Sequence, residues 1–404
     1  MNKEGWQIKT LGDIADVKGG KRVPKGYKLQ SVPTKYPYIT VSDFTDEGTI
    51  DTSDLRYVSR EVFEQIKRYT ISSNDLYLSI AGTIGKTGYV PIELDGASLT
   101  ENACKLVLRP GIDRNFVYYF TKSDGFTTQA GTNTRTAAQP KLALERLKTI
   151  KLPIPLSFPQ QQRIVGVLDE AFAGLATAQA NAEKNLQNAR ALFESHLQSV
   201  FTDAWRTCEL VTLLDLATDI TDGDHMPPPK SRIGVPFITI GNINKNTRRI
   251  NFSETFTVPH GYFDGLKANK KPRIGDVLYT VTGSFGIPVL VRDRFNFCFQ
   301  RHIGLVRPKP ETSSAWLYYL LMSPQVFKQA NDGATGTAQK TVSLKLLRGF
   351  QVPKLPLTRQ QSDVAKLDVL SEESQRLEAI YQRKLAALDE LKKSLLHQAF
   401  TGNL

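Results

Sequence analysis

The sequence predicts an α+β protein: two homologous globular α/β domains, each followed by one long heptad-patterned helix, with the other copy's helix the nearest coiled-coil partner. Three observations carry this reading. The chain repeats itself after roughly 200 residues, the texture of each copy changes once, and the last part of each copy has heptad spacing.

The repeat is an ordered series of small matches. Pro37-Tyr38-Ile39-Thr40-Val41 returns as Pro236-Phe237-Ile238-Thr239-Ile240, and Asp75-Leu76-Tyr77-Leu78 as Asp276-Val277-Leu278-Tyr279. Gly82-Thr83-Ile84-Gly85 returns as Gly283-Ser284-Phe285-Gly286, and Leu108-Arg109-Pro110 is paired with Val306-Arg307-Pro308. Tyr118-Tyr119, Gln161-Gln162 and Phe201-Thr202 recur as Tyr318-Tyr319, Gln360-Gln361 and Phe400-Thr401. One such pair could be chance, but a series in constant order is a duplication.

Within each copy, short β-branched and aromatic segments come first, broken by Gly, Pro, Asn and Asp. Tyr38-Ile39-Thr40-Val41, Leu76-Tyr77-Leu78-Ser79-Ile80 and Lys105-Leu106-Val107-Leu108 read as strands. Short helices are expected around 114–122 and 140–148. Pro153, Pro155 and Pro159 then punctuate the chain, and the period becomes helical. Apolar residues step by threes and fours through Ile164, Leu168, Leu175, Ala182, Ala189, Phe193 and Leu197, with only Gly166 and Gly174 interrupting. The second copy repeats this through Val364, Leu367, Leu377, Leu385, Leu388, Leu391 and Leu395. A helix of about 40 residues spans roughly 60 Å, more than the width of one such domain, so each needs a partner along its length. The expected division is domains at 1–155 and 204–355, with spacer helices at 156–203 and 356–404.

The 404 residues exceed one hydrophobic core, and 40% hydrophobic with 23% charged residues suits a folded protein. The apolar stretches fall short of the roughly 18 residues needed for a membrane span, and residues 1–7 lack the apolar core of a secretion signal. Cys104, Cys208 and Cys298 are scattered, without CxxC spacing, which fits a cytoplasmic protein and argues against a zinc site. The net charge is +12. Residues 160–203 carry three basic and five acidic residues, and 359–404 seven of each, so the globular domains hold a net +14. Charge concentrated there, beside neutral helices, is the footprint expected of a protein that contacts a phosphate backbone.

Signatures of catalysis are missing. Ala81-Gly82-Thr83-Ile84-Gly85-Lys86-Thr87 resembles a phosphate loop, but the first glycine of that motif would fall on Ile80, and the second copy lacks the lysine. Both segments read as strand–turn units in which Gly supplies an unusual backbone conformation. The run Met226-Pro227-Pro228-Pro229-Lys230 does not fit the base-holding loop of an amino-methyltransferase. Asp16-Val17-Lys18 and Glu390-Leu391-Lys392 lack the further carboxylate of a nuclease site, and the five histidines have no metal-ligand spacing. The expectation is a protein that binds and does not catalyse, with no cofactor.

The arrangement resembles the specificity subunit of a Type I restriction-modification system, over essentially the whole chain. Trp6-Gln7-Ile8-Lys9-Thr10-Leu11-Gly12-Asp13 is similar to the start of that family's target recognition domains, and Pro37 to Asp43 to one of their strands. Leu152-Pro153-Ile154-Pro155 through Gln160-Gln161-Gln162-Arg163-Ile164 resembles their exit into the spacer helix, with Gln160, and Arg359 in the second copy, where the family has Glu. The resemblance implies two target recognition domains separated by two long antiparallel coiled-coil helices in pseudo-two-fold symmetry, in a non-catalytic subunit reading a bipartite, asymmetric double-stranded DNA target, one half-site per domain, with the helices fixing the gap. It also implies two modification (methyltransferase) subunits and a restriction (ATP-dependent endonuclease) subunit as partners, and no membrane. Lys21, Arg22, Thr83, Lys86 and Arg135 in the first domain, and Asn242, Lys245, Ser284, Arg301 and Lys340 in the second, are the loop residues suited to DNA contact. The alternatives are a coiled-coil scaffold for protein partners, which the +14 on the domains disfavours, and a specificity subunit of a related Type IIB-like system.

Overall fold

The computed structural model describes residues 5–134, 140–226, 228–292, 295–337 and 339–404. The chain forms two compact units: residues 1–183 with 383–404, and residues 184–382. Both long helices, Phe158–Thr207 and Leu357–Thr401, contribute to each unit.

In the first unit, strand Trp6–Thr10 lies antiparallel to Lys151–Pro155, tying the start of the domain to its exit. The chain turns at once, because Thr10 and Asp13 form a reciprocal capping box. A four-stranded antiparallel sheet follows in the order Ala15–Gly19, Ala103–Leu108, Leu76–Ser79, Thr87–Tyr89. A second sheet runs Arg56–Tyr57, Pro37–Ile39, Ala97–Leu99, Thr70–Ile71, with its two middle strands parallel. All four residues of Leu76–Ser79 are buried. Leu76 and Leu78 enter one apolar core and Tyr77 another, so burial is continuous along the strand and does not alternate. Helices Arg114–Thr121, Asp124–Asn133 and Leu144–Lys148 cover the first sheet through Phe116, Phe120, Phe126 and Leu147.

That core extends onto both long helices. Phe400 meets Phe116 and Phe120 edge-on at 5.1 and 5.4 Å, and Ile164, Leu168 and Leu396 join it. Arg163 donates to the Leu404 carbonyl at 2.7 Å, and the Lys392 ammonium lies over the Phe172 ring, so the helices run antiparallel here.

The second unit repeats the frame. Strand Leu210–Thr212 pairs with Gln351–Pro353, and Thr212 with Asp215 forms the same capping box. The four-stranded sheet is Ala217–Asp222, Ile303–Pro308, Val277–Thr280, Pro288–Leu290. A three-stranded sheet holds Val235–Ile238 between Phe256–Val258 and the parallel Cys298–Phe299. Helices Ser314–Met322, Pro324–Gly333 and Leu344–Arg348 bury Trp316, Leu317 and Leu320 against Phe201 and Leu367 of the long helices. The helices are antiparallel here too, with Arg190–Glu378 at 2.8 Å, Arg359–Asp203 at 3.1 Å, and the Ser374 hydroxyl donating to the Ala189 carbonyl at 2.6 Å.

Two details depart from the sequence pattern. Leu391, placed on the helical seam by spacing, is 47% exposed. Sheet register also corrects one repeat pair: Leu76 faces Leu106 while Val277 faces Val306, and Ala15 faces Leu108 while Ala217 faces Pro308. Leu108 therefore corresponds to Pro308, and Arg307 has Val107 as its counterpart and not Arg109. The shared Arg-Pro letters fall two residues out of structural register, which a two-residue match cannot reveal.

Candidate nucleic-acid interface

The first Gln of the repeated Gln-Gln pair shows how closely the two copies share a scaffold. Buried Gln161 accepts from the Asp113 backbone N–H at 2.8 Å and donates to the carbonyls of Gly111 and Pro155 at 3.3 and 3.1 Å. Buried Gln360 accepts from the Ser313 N–H at 2.7 Å and donates to Glu311 and Leu355 at 3.3 and 2.8 Å. A primary amide is the side chain that can give and accept in one plane, so this residue staples each long helix to its domain. The motif is structural.

The repeated Gly turn has an equally shared geometry. Gly82 and Gly85 have φ of +74° and +97°, and Gly283 and Gly286 of +68° and +89°. The Ser79 hydroxyl donates to the Thr83 carbonyl at 2.5 Å and accepts from the Lys86 N–H at 2.8 Å. Thr280 makes the same two bonds to Ser284 and Ile287, at 2.8 and 2.9 Å. Each turn closes a hairpin, as the sequence predicts, and leaves Thr83 and Ser284 exposed at its tip.

Backbone bonds gather other loops at that same end of the four-stranded sheet. In the first domain, Gly20 N–H donates to the Ala103 carbonyl at 3.0 Å, Ile80 to Asn102 at 2.8 Å, and Leu142 to Ile80 at 2.9 Å. In the second, Arg301 N–H donates to Asp224 at 3.2 Å, Val281 to His302 at 2.9 Å, Val342 to Val281 at 2.8 Å, and Gly283 to Lys340 at 3.0 Å. One edge of each domain is thus built from four chain segments held on a common frame. It brings together Lys21, Arg22 and Thr83 in the first domain, and Ser284, Arg301 and Lys340 in the second.

The side chains on that edge are not equally available. Lys21 is exposed, with its ammonium 5.6 Å from the Tyr69 ring centre. Arg22 is bound to Glu101 at 2.6 Å, a contact that raises the arginine pKa and, despite desolvation, lowers that of the glutamate. Lys340 donates to Asn331 at 3.2 Å. The Arg301 guanidinium stands 3.4 Å from His302, whose pKa is lowered by burial and then by that charge. His302 and the exposed Lys141 belong to this edge and carry no repeat or motif signal; only the fold puts them there.

The remaining candidates lie elsewhere. Lys86 points away from the edge, bridging Asp46 at 2.8 Å and the Phe44 carbonyl at 3.1 Å, so its charge is committed to a neighbouring loop. Asn242 is buried, accepting from the Thr239 N–H and hydroxyl at 2.8 Å each and donating to Glu254 at 3.3 Å. It is a capping residue, equivalent to Asp43 on Thr40, and its amide is fully used by the fold. Burial raises the pKa of Asp43 against those same cap bonds, and a neutral amide avoids that conflict in the second copy. Lys245 is exposed on the hairpin that joins Ile243–Asn244 to Arg249–Ile250, apart from the edge residues. Arg135 lies outside the described residues.

Among the described residues, no group of three or more His, Cys, Asp or Glu could hold a metal ion, and no helix is long and apolar enough to cross a membrane. The three cysteines are free, with Cys104 and Cys298 buried.

Two copies of one scaffold, each rooted on the long helices and each presenting a four-segment edge with its own side chains, form the class of a duplicated two-surface reader. Residues 3–186 and 211–383 match the Type I restriction modification DNA specificity domain, and the chain belongs to that family. It is 22% identical to the EcoKI specificity subunit of Escherichia coli K12, across 99% of this chain and 89% of that one. It is likewise 22% identical to the MjaVIII specificity subunit of Methanocaldococcus jannaschii, across 99% and 93%. A solved chain from work on complex assembly and conformational transition of the type I R-M system matches with a TM-score of 0.78 at 19% identity, covering 100% of this chain and 99% of that one. The HsdS subunit from Thermoanaerobacter tengcongensis gives 0.61 at 19% identity, covering 99% and 98%. These likenesses show the same fold.

Proposed function

We propose that the chain is the sequence-specific DNA-recognition subunit of a Type I restriction-modification complex, acting in the cytoplasm and without catalytic activity of its own. Residues 1–155 and 204–355 each read one half of a bipartite, asymmetric target, and the helical segments 156–203 and 356–404 fix the unread gap. The observation that carries this reading is the repeated edge. Its backbone frame is the same in both domains, with Thr83 and Ser284 alike on the Gly turn, but the cations stand on different segments of it: Lys21 and Arg22 follow strand Ala15–Gly19 in the first domain, whereas Arg301 precedes strand Ile303–Pro308 and Lys340 precedes helix Leu344–Arg348 in the second. Equal frames with differently placed heads suit two related but different words. Arginine and lysine heads suit guanine edges and phosphates, and hydroxyls suit several bases. Two modification subunits bring methyl transfer and a restriction subunit brings ATP-driven cleavage.

The test is the methylation pattern of a cell carrying this chain and its cognate modification subunit. The expected motif is bipartite and asymmetric with a fixed gap; Arg301→Ala relaxes one half-site and Lys21→Ala the other. In binding assays, contact with about six phosphates gives a log–log salt slope near −5. A flat salt response, or methyl transfer by the purified chain alone, overturns the proposal.

A further inference from the structure

Far from the reading edge, the second unit holds a cleft of about 930 Å³. It lies at the open end of the Val277–Thr280/Pro288–Leu290 hairpin, opposite the Gly turn, and its walls include both long helices through Phe193 and Glu378. Among the described residues, four arginines and six aromatic residues line it, and no lysine does. The one acidic residue among the described lining, Glu378, is already paired with Arg190 at 2.8 Å. Arg248, Arg249 and Arg292 have no carboxylate partner among the described residues. The apolar floor includes Phe295, 42% exposed and edge-on to Phe252 at 4.3 Å.

Arg248 has φ of +50°, the only positive φ at a non-glycine among the described residues. The hairpin demands it there. Asn244 accepts from the N–H groups of Asn246 and Thr247 at 2.9 Å each, and the Arg248 N–H returns to the Asn244 carbonyl at 2.9 Å. An L-residue in that conformation is strained, and glycine would adopt it freely. The first domain has Gly48 at the equivalent position, with φ of +85°. A β-carbon at Gly48 would sit 2.5 Å from the Tyr118 hydroxyl, which donates to the Glu47 carbonyl at 3.3 Å. Glycine thus lets that loop close onto Tyr118, whereas in the second domain Arg248 and Tyr318 both line the cleft and the arginine supplies a cation.

A basic rim over an aromatic floor, with arginine and no lysine among the described lining residues, has the composition of a protein interface more than of a phosphate track. A floor of Phe and Val also offers nothing to a sugar-phosphate backbone. We infer that this cleft docks an acidic, apolar-anchored segment of a modification subunit, and that the first domain's counterpart, closed by Tyr118, does not. The inference rests on the reading of the chain as a specificity subunit with two modification subunits. It adds that the two are held unequally.

The experiment co-expresses the full chain with its cognate modification subunit and reads stoichiometry by native mass spectrometry and analytical ultracentrifugation. Failure of the unaltered chain to bind any modification subunit would overturn the proposed function itself. Given two bound subunits, Arg248→Glu/Arg249→Glu/Arg292→Glu is expected to retain one and to weaken the second at least ten-fold, with duplex DNA affinity of the isolated chain unchanged. Arg248→Gly, which relieves the backbone and removes the cation, and Phe295→Ala, which keeps every charge, are each expected to weaken the second subunit alone. These milder changes keep the inference testable if the triple variant does not fold. Two subunits retained at unaltered affinity in all variants would sink it. So would a loss confined to duplex DNA binding, which would make the cleft a nucleic-acid site.

Discussion

Gly48 beside Tyr118 and Arg248 beside Tyr318 are the same place in two copies of one domain, and they teach where this duplication has been free to diverge. At several framework positions the copies agree bond for bond: Gln161 and Gln360 each make three hydrogen bonds, and Ser79 and Thr280 each close a Gly turn. Outside the frame, the same left-handed position carries a glycine packed on Tyr118 in one copy and an arginine lining a cleft with Tyr318 in the other. Framework positions serve several buried polar groups at once, so substitution there leaves some unpaired. Loop positions answer to fewer neighbours.

The largest expected effect tests the frame where the copies use different chemistry for one task. Buried Asp276 is gripped by Arg307 through two contacts, 2.9 and 2.7 Å, and Arg307 also donates to the Lys271 carbonyl at 2.9 Å. In the first domain Asp75 meets one cation contact, Lys105 at 3.1 Å, from a different register position, and in both copies a backbone N–H, from Ser72 or Arg273, also donates to the carboxylate. Removing either cation leaves a buried carboxylate uncompensated, a loss of about 3 kcal/mol or more for Arg307→Ala. Lys105→Ala is expected to cost less, about 2 kcal/mol, because fewer contacts are lost. Urea unfolding followed through Trp316 in the second unit and Trp6 in the first separates the two. Equal losses would mean that the extra Arg307 bonds contribute nothing.

Gly48→Ala comes next, at about 2 kcal/mol, combining left-handed strain with displacement of Tyr118. The Gly turns follow. Gly82→Ala meets no atom within 4 Å and carries backbone strain alone, about 1 kcal/mol, whereas Gly283→Ala also meets the Gln339 side-chain nitrogen at 2.8 Å. Thermal melts of the two variants should rank the second domain as the more sensitive. The reverse order would show that Gln339 moves aside without cost.

Much of this scaffold is legible in the sequence, because repeats, heptad spacing and strand texture are properties of consecutive residues. The Gly turns, the strands at Leu76 and Lys105, and both long helices follow from such local patterns. The edge is different. It joins segments from four distant stretches, and the backbone bonds that align Arg301 with Lys340 leave no trace in side-chain spacing. For the same reason Asn242 reads as a free amide among loop residues, when burial has already spent its hydrogen bonds on Thr239 and Glu254. Lys86 sits beside a glycine turn in sequence but is drawn off by Asp46, forty residues earlier in the chain. His302 and the Arg248 cleft could not be found from spacing at all, since each depends on what the fold sets across from it.

The smallest effect expected is a pH response confined to the second edge. Burial, and then the Arg301 charge, hold the His302 pKa below its ordinary value of 6.5. Above that pH the ring is neutral in folded and unfolded chains alike and contributes nothing. As pH falls through 6.5, the unfolded chain takes up the proton first, so stability declines until the folded pKa is passed and then levels off. The first domain has no histidine on its edge, and its unfolding should lack this slope. DNA affinity should move the other way, since the protonated ring adds a positive charge beside Arg301 and Lys340. Urea midpoints and duplex binding measured between pH 7.5 and 5.5, for the unaltered chain and His302→Asn, would show the two trends crossing. Parallel trends, or a slope that persists in the variant, would place the titrating group elsewhere.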